Sequence, residues 1–233
     1  MSLLGNAALA MWWDMAADQR AEFEDWHSHE HFTERMSIPG FRRGTRWSSA
    51  EGGEGIFQMY ELDAYDVVQS PAYLERLNAP TPWSTRMMPH HRHMVRSQCR
   101  VLASAGGSVA RHALTIRLSP RPGSEARLQA ALSERLPTLA AQPGCVGAHL
   151  LRHETPPIAA TREQQIRGND QYADWVLVVV GYDLDALRAL QVGALSSTAL
   201  GELGAENGVL GALHALCHST TPADVAAPAK AAA

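Results

Sequence analysis

Three neighbouring residues on one predicted helix have side chains that can transfer a proton. His27 and His31 are four residues apart, so both imidazoles lie on the same face of an α-helix. Glu30 comes three residues after His27 and one before His31. A histidine beside a carboxylate has a defined tautomer and a pKa near neutrality, which suits general acid–base chemistry. We therefore predict that His31 exchanges a proton and that Glu30 or His27 orients it.

The same segment has a second interpretation as a solvated helix face, where histidine is favourable near the helix end. Helical phase does not choose between the two interpretations. Phe23 and Trp26 share a face with His27, whereas Phe32 and Met36 lie on the other face. Either face can therefore be the buried one.

Four further residues are candidates for binding a ligand. Trp26 offers an apolar wall beside the histidines, and Trp83 lies in a proline-rich stretch that can cover a pocket. Tyr60 ends a predicted strand and can hydrogen-bond a ligand, and Arg46 on another strand can meet an anionic group. Each has a structural alternative, because aromatic side chains also fill cores and arginine stems also cover apolar surface.

A metal site is the weaker prediction for these histidines. His27 and His31 with His91 or His93 have ligand types that bind zinc, but position 28 is Ser, so the HExxH motif is absent. The sequence has no Rossmann, Walker, GxSxG or CxxCH motif. We predict no metal and no cofactor, while haem held through a lone histidine remains an open alternative.

Composition limits the classes of partner and the cellular compartment that we expect for the protein. The 233 residues carry a formal net charge of −4, which gives no basic footprint for nucleic acid. No apolar run approaches the roughly 20 residues of a membrane span. Three cysteines without a CxxC pair favour reduced thiols and a cytoplasmic protein. We expect a small-molecule ligand as partner, and neither nucleic acid nor membrane.

The order of predicted elements occurs twice along the chain. Pro39-Gly40 ends the first helix and opens a strand, and Pro143-Gly144 does the same in the second half. Each half is predicted as β-α-β-β-α-β, the ferredoxin-like order. The fold class is therefore α+β, with two tandem ferredoxin-like units that form an intramolecular pseudo-dimeric α/β barrel. We predict one unit at 1–105 with the pocket, a degenerate unit at 106–220, and a tail at 221–233.

Two connecting stretches are predicted to lack regular structure. One runs through the prolines between 80 and 89, and the other is a long polar loop at 155–171. A single helix is expected over 184–201, and a glycine-rich linker over 104–108 joins the halves.

The first half also resembles a known family. The run 22–31, followed by Arg35 and Pro39-Gly40-Phe41, resembles the W-x-x-x-E-H … P-G-F signature of dimeric α/β-barrel proteins, in particular EthD-like uncharacterised members. Tyr60-Glu61-Leu62 and Thr81-Pro82-Trp83 are also similar to that group. The resemblance covers residues 7–103, and the second half carries only Pro143-Gly144. It implies relatives that include cofactor-free monooxygenases acting on quinol-like aromatics, lactone isomerases, haem enzymes and proteins without known activity.

These observations lead to one preferred function and two alternatives. The preferred one is a small-molecule-binding protein or a cofactor-independent enzyme that performs proton-transfer chemistry on an apolar oxygenated metabolite. Its reaction class is isomerase, dehydratase or monooxygenase-like. The alternatives are a non-catalytic ligand-binding or assembly module, and a haem or metal protein. The resemblance also implies a homodimer.

Overall fold

A computed structural model describes residues 3–168 and 170–225, and eight strands form its framework. The strands are β1 Ala7–Met15, β2 Phe41–Ser49, β3 Gly55–Leu62, β4 His91–Gly106, β5 His112–Leu118, β6 Cys145–His153, β7 Trp175–Gly181 and β8 Leu210–Thr220.

Helices connect the strands on the outside of this framework. The first helical stretch consists of α1 Arg20–Trp26, a π-helical turn His27–His31, and α2 Phe32–Met36. The others are α3 Pro71–Asn78, α4 Pro82–Met87, α5 Glu125–Ala141, α6 Arg162–Arg167, α7 Leu184–Val192 and α8 Ser197–Leu203. Among the described residues, no helix is long and apolar enough to cross a membrane.

The eight strands close into one antiparallel barrel in the order β1-β3-β2-β8-β5-β7-β6-β4. The first four strands are adjacent in the order β4-β1-β3-β2, and the last four repeat that order as β8-β5-β7-β6. This is the strand order of a ferredoxin-like sheet. The two sheets join at both edges, through β2 with β8 and β4 with β6. The predicted α+β barrel fold is therefore confirmed.

Strand alternation divides the core into three layers. In β1, Ala8, Ala10 and Trp12 point into the barrel, where Phe57 stacks on the rings of Trp12 and Trp47 with centroids 5.1 Å away in each case. The alternate residues of β1 pack against the helices of the first half, and a leucine-rich layer covers the second half. Side chains thus fill the interior of the barrel, and helices pack on the outer face of each half, which stabilises the closed arrangement.

The two Pro-Gly turns have the same backbone and the same crowding. Gly40 has φ +92° and Gly144 has φ +90°. A Cβ atom built on Gly40 would lie 2.4 Å from a methyl group of Val67, and one on Gly144 would lie 2.4 Å from Cβ of Ala186. Both turns therefore require glycine for conformation and for space.

Several predicted boundaries were wrong. The stretch 80–89 contains α4, and the predicted polar loop 155–171 contains α6. The helix expected over 184–201 is two helices, α7 and α8, and β4 extends to Gly106, so most of the predicted linker is strand. The domain limits stay predictions. Most of the predicted tail, residues 226–233, lies outside the described residues.

Gly40→Ala is expected to reduce the free energy of unfolding by more than Gly52→Ala does. Gly52 also has a positive φ, +83°, but nothing lies within 4 Å of its built Cβ, so its variant carries only the strain of about 1–2 kcal/mol. Gly40→Ala adds the clash with Val67. Chemical denaturation of the two variants measures the difference, and equal losses would contradict the assigned crowding.

Candidate functional site

A cavity lies between the first helical stretch and the outer face of the first half's sheet. Its volume is about 40 Å³, and its walls are histidine, aromatic, methionine and arginine side chains. A space of this size holds on the order of two or three water-sized groups. Residues from the second half complete the lining, so the cavity is a joint product of both halves.

The π-helical turn explains why helical phase was ambiguous. A π turn adds one residue to the helical repeat, so the buried face continues from Trp26 and His27 to His31 and Phe32. It then continues to Arg35 in α2. Both sets of apolar residues therefore face the sheet, although a uniform α-helix would separate them. Single π turns are frequent at functional sites.

His27 has one nitrogen fixed and one open. Its Nε2 is 3.0 Å from Oε1 of Gln58, an acceptor, so Nε2 carries the proton and donates it. Its Nδ1 is buried and has no partner in the described residues. Burial, followed by the charges of Arg46 and His91, lowers the pKa of His27 well below its usual value. The side chain is therefore a neutral imidazole with an open lone pair.

His31 lies beside His27, with ring centroids 5.2 Å apart, and contacts the ring of Trp26 at 4.7 Å. Its Nδ1 is also buried without a partner among the described residues. Burial, then the positive charge of Arg35 and the neighbouring His27, lowers the pKa of His31 well below its usual value. The structure thus brings the two predicted histidines together as a neutral pair.

A third histidine, His91, also lines the cavity, although the sequence suggested it only as a possible metal ligand. His91 contacts the ring of Trp13 at 5.0 Å, and its Nδ1 lies 3.2 Å from the carbonyl oxygen of Met88. Burial, then the charge of Arg167, lowers the pKa of His91 to about 3. Its neighbour His93 is exposed instead. In residues 3–168 and 170–225, no group of three or more His, Cys, Asp or Glu side chains is arranged to hold a metal ion.

Glu30 connects helices rather than histidines. Its Oε1 accepts hydrogen bonds from Nε1 of Trp26 at 3.1 Å, Oγ1 of Thr81 at 2.5 Å and Oγ of Ser84 at 3.4 Å. These bonds hold the π turn against α4, because Thr81 and Ser84 form the start of that helix. Glu30 therefore fixes the ring of Trp26, which in turn contacts His31.

The other predicted binding residues divide between the cavity and its surroundings. Tyr60 lines the cavity, its hydroxyl has no partner in the described part of the chain, and burial raises its pKa. Arg46 lies over the ring of Phe23 at 5.3 Å and donates to Ser28 at 3.2 Å, outside the lining. Trp83 donates to Glu22 at 3.2 Å near the surface and also stays outside.

Sequence reasoning missed two charged residues of α6, Glu163 and Arg167. Glu163 forms a buried ion pair with Arg35, which also pairs with Glu34 at 3.0 Å. Burial opposes the Arg35 cation, but the charge of Glu163 outweighs this and raises the pKa of Arg35. Arg167 pairs with Asp170 at 2.9 Å and with Glu163 at 3.5 Å. Through these ion pairs, charged residues of the second half contact a cavity residue of the first half.

A sequence signal for α6 was present. Thr161 and Gln164 form a capping box at its first turn, and this S/T-x-x-E/Q spacing marks a helix start. The segment is also pinned to β4, where the backbone N–H of Arg96 donates to Gln171 at 2.7 Å and that of Gln171 donates to Met94 at 3.0 Å. We name residues 154–174, which connect β6 to β7, the strap.

Comparisons with known proteins agree with the fold. Residues 111–159 match the family model described as antibiotic biosynthesis monooxygenase. An anthrone oxidase-like protein is similar in structure, with a TM-score of 0.69 at 10% identity over 98% of this chain and 99% of that one. A candidate monooxygenase from Fusobacterium nucleatum has a TM-score of 0.62 at 9% identity, over 94% and 96%.

A haem-binding protein from Thermus thermophilus is also similar, with a TM-score of 0.50 at 9% identity over 92% of each chain. Among curated proteins, none matches the chain. The EthD-like resemblance is not confirmed. The matched segment lies instead in the second half, where the sequence resemblance was weakest.

The neutral histidines are expected to make stability depend on pH. In the unfolded chain these groups take up protons below about pH 6.5, while the folded state keeps them neutral, so lowering the pH stabilises the unfolded state. Their contribution is complete above pH 6.5 and is lost as the pH falls. Each histidine that stays neutral contributes up to about 1.4 kcal/mol per pH unit.

Unfolding titrations of His91→Gln between pH 7 and 5 measure this contribution. The variant should lose less stability per pH unit than the wild type, by about the contribution of one histidine. His29→Gln is the matched control, because the His29 side chain is 74% exposed. An unchanged slope in His91→Gln would show that His91 takes up a proton in the folded protein as readily as in the unfolded chain.

Proposed function

We propose that the protein is a cofactor-independent enzyme that removes a proton from an apolar, oxygenated small molecule and directs it into a monooxygenase-like reaction. The observation that carries the proposal is the pair of buried, neutral histidines whose Nδ1 atoms have no partner in the described residues. An open lone pair in an apolar cavity is a proton acceptor that water cannot easily saturate.

The proposed roles follow from the contacts. His31 accepts the proton at Nδ1, and Trp26, fixed by Glu30, holds one face of its ring. His27 is kept in one tautomer by Gln58. Burial disfavours an imidazolium, but an anion formed from the substrate beside it offsets that cost.

The reaction balances with dioxygen as the oxidant. An acidic C–H of the substrate gives its proton to His31, and the resulting carbanion forms a bond to dioxygen. The peroxide anion recovers the proton from His31 and then loses water, so that CH₂ becomes C=O while dioxygen is reduced to water and the new carbonyl oxygen. An enolisable aromatic ketone provides such a C–H. The similarity in structure to an anthrone oxidase-like protein supports this substrate class.

The cavity must enlarge to admit such a substrate. Met11, Met88 and Met94 line it, and methionine side chains repack readily because they are unbranched and flexible. A haem has a macrocycle much larger than such a substrate and does not fit beside these histidines. His31 has an open nitrogen for iron, but the rings of Trp13 and Trp26 contact the histidines directly and leave only about 40 Å³. The proposed reaction therefore does not involve haem.

His31→Asn is expected to lower kcat for a turned-over substrate by about 10²- to 10⁴-fold, the range for losing a general base. KM should change far less, because the ring of Trp26 and the rest of the cavity remain. Oxygen uptake without added cofactor, measured with a size series of enolisable aromatic ketones ending in anthrone, provides the assay. His27→Asn should also reduce kcat.

His29→Asn is the control, because His29 lies on the same helical stretch and points to solvent. Full turnover in His31→Asn would show that His31 is not the general base. If ligands also bound without any turnover in the wild type, the non-catalytic binding module would be the better description.

A further inference from the structure

One arginine of the cavity has no carboxylate in direct contact among the described residues. Arg96 lies on β4, is 7% exposed and lines the cavity. Its Nη2 donates to the hydroxyl of Tyr73 at 2.9 Å. Within residues 3–168 and 170–225, no carboxylate lies within 4.0 Å of its guanidinium. The phenol hydroxyl of Tyr73 is a neutral acceptor, and the carboxylates of Asp170 and Glu163 favour the Arg96 cation only from beyond 4.0 Å.

The other two arginines of the cavity have their positive charges balanced by carboxylates in direct contact. Arg35 is paired with Glu34 and Glu163. Arg167 is paired with Glu163 and Asp170. A buried cation that lacks such a pair is costly, because water has been removed from it without a replacement charge. A ligand that carries an anion would supply the direct ion pair that Arg96 lacks.

Extending the proposed function, on which this inference rests, we infer that the otherwise apolar aromatic ketone also carries a carboxylate group, which binds Arg96 while the reactive carbon faces the histidine pair. The guanidinium fork matches a carboxylate with two parallel hydrogen bonds. Trp13, Trp26 and Tyr73 line the same cavity and offer ring faces to the aromatic part of the ligand.

The pairing of the neighbouring charges directs the anion to Arg96. Glu163 is buried at 3% exposure between Arg35 and Arg167, so both of those arginines already have a carboxylate. An entering anion would have to displace Glu163 to reach either of them. At Arg96 it displaces nothing except contact with Tyr73, which can stay as a second donor once its hydroxyl turns to the ligand.

Calorimetric titration of the wild type with benzoate and with benzamide tests the inference. The two probes have the same shape and differ in charge, and neither has an enolisable proton, so binding is measured apart from turnover. Benzoate is expected to bind about 10- to 100-fold more tightly, the range of a charge-assisted hydrogen-bond pair. Equal affinities, or no binding of either probe at millimolar concentration, would overturn the inference.

Variants locate the preference on Arg96. Arg96→Met should abolish the preference for benzoate, and Arg96→Lys should keep part of it, because lysine retains the charge without the fork. Arg92→Met is the matched control, since Arg92 lies on the same strand, has a side chain 47% exposed and pairs with Glu54. A benzoate preference that persists in Arg96→Met would assign the anion site elsewhere and overturn the inference.

The two proposals fail separately. If benzoate shows no preference while His31→Asn loses turnover, the base remains and the carboxylate substrate is excluded. If the benzoate preference depends on Arg96 while His31→Asn keeps full turnover, the anion site remains and the proposed base is excluded.

Discussion

Edge pairing between the two sheets is the constraint on which the structure depends. β4 pairs with β6 and β2 pairs with β8, so neither ferredoxin-like sheet has a free edge at these junctions. The pairing also closes the interior around Trp12, Trp47 and Phe57. Without the second sheet, both the inner face and two edges of the first half would meet water.

The same pairing brings the strap to the cavity. Cys99 in β4 is opposite His153, the last residue of β6, so the chain leaves β6 directly beside the first half. Glu154 then donates its backbone N–H to Gln98 at 2.9 Å and forms an ion pair with Arg100 at 2.7 Å. The strap continues across β4, so that Glu163 lies beside Arg35 and forms an ion pair with it. The register of two strands thus decides which charges face the histidines.

The two halves are alike in topology and different in their connections. In the first half, residues 50–54 join β2 to β3 as a short turn, whereas the strap 154–174 joins the corresponding strands of the second half. The long connection folds over the first half's cavity, so the polar and charged groups concentrate there. The second half's helices cover a leucine-rich layer.

The sequence alone determined the order of the eight strands, both Pro-Gly turns and the barrel. Alternating apolar strands and the repeated β-α-β-β-α-β pattern are local signals, and a sheet with one bare face needs a partner, so the fold followed from them. The proximity of His27 and His31 was also local, because four residues on a helix fix it.

Only the tertiary structure decided which helix face is buried and what completes the site. The π turn shifts the helical phase between His27 and His31, and no local pattern specified its position. Strand register brings Arg96 to the cavity. Glu163 and Arg167 reach it through contacts between residues far apart in the sequence, such as Arg35 and Glu163, which are 128 positions apart. Residue spacing carries no information about such contacts, because they arise only when the barrel closes.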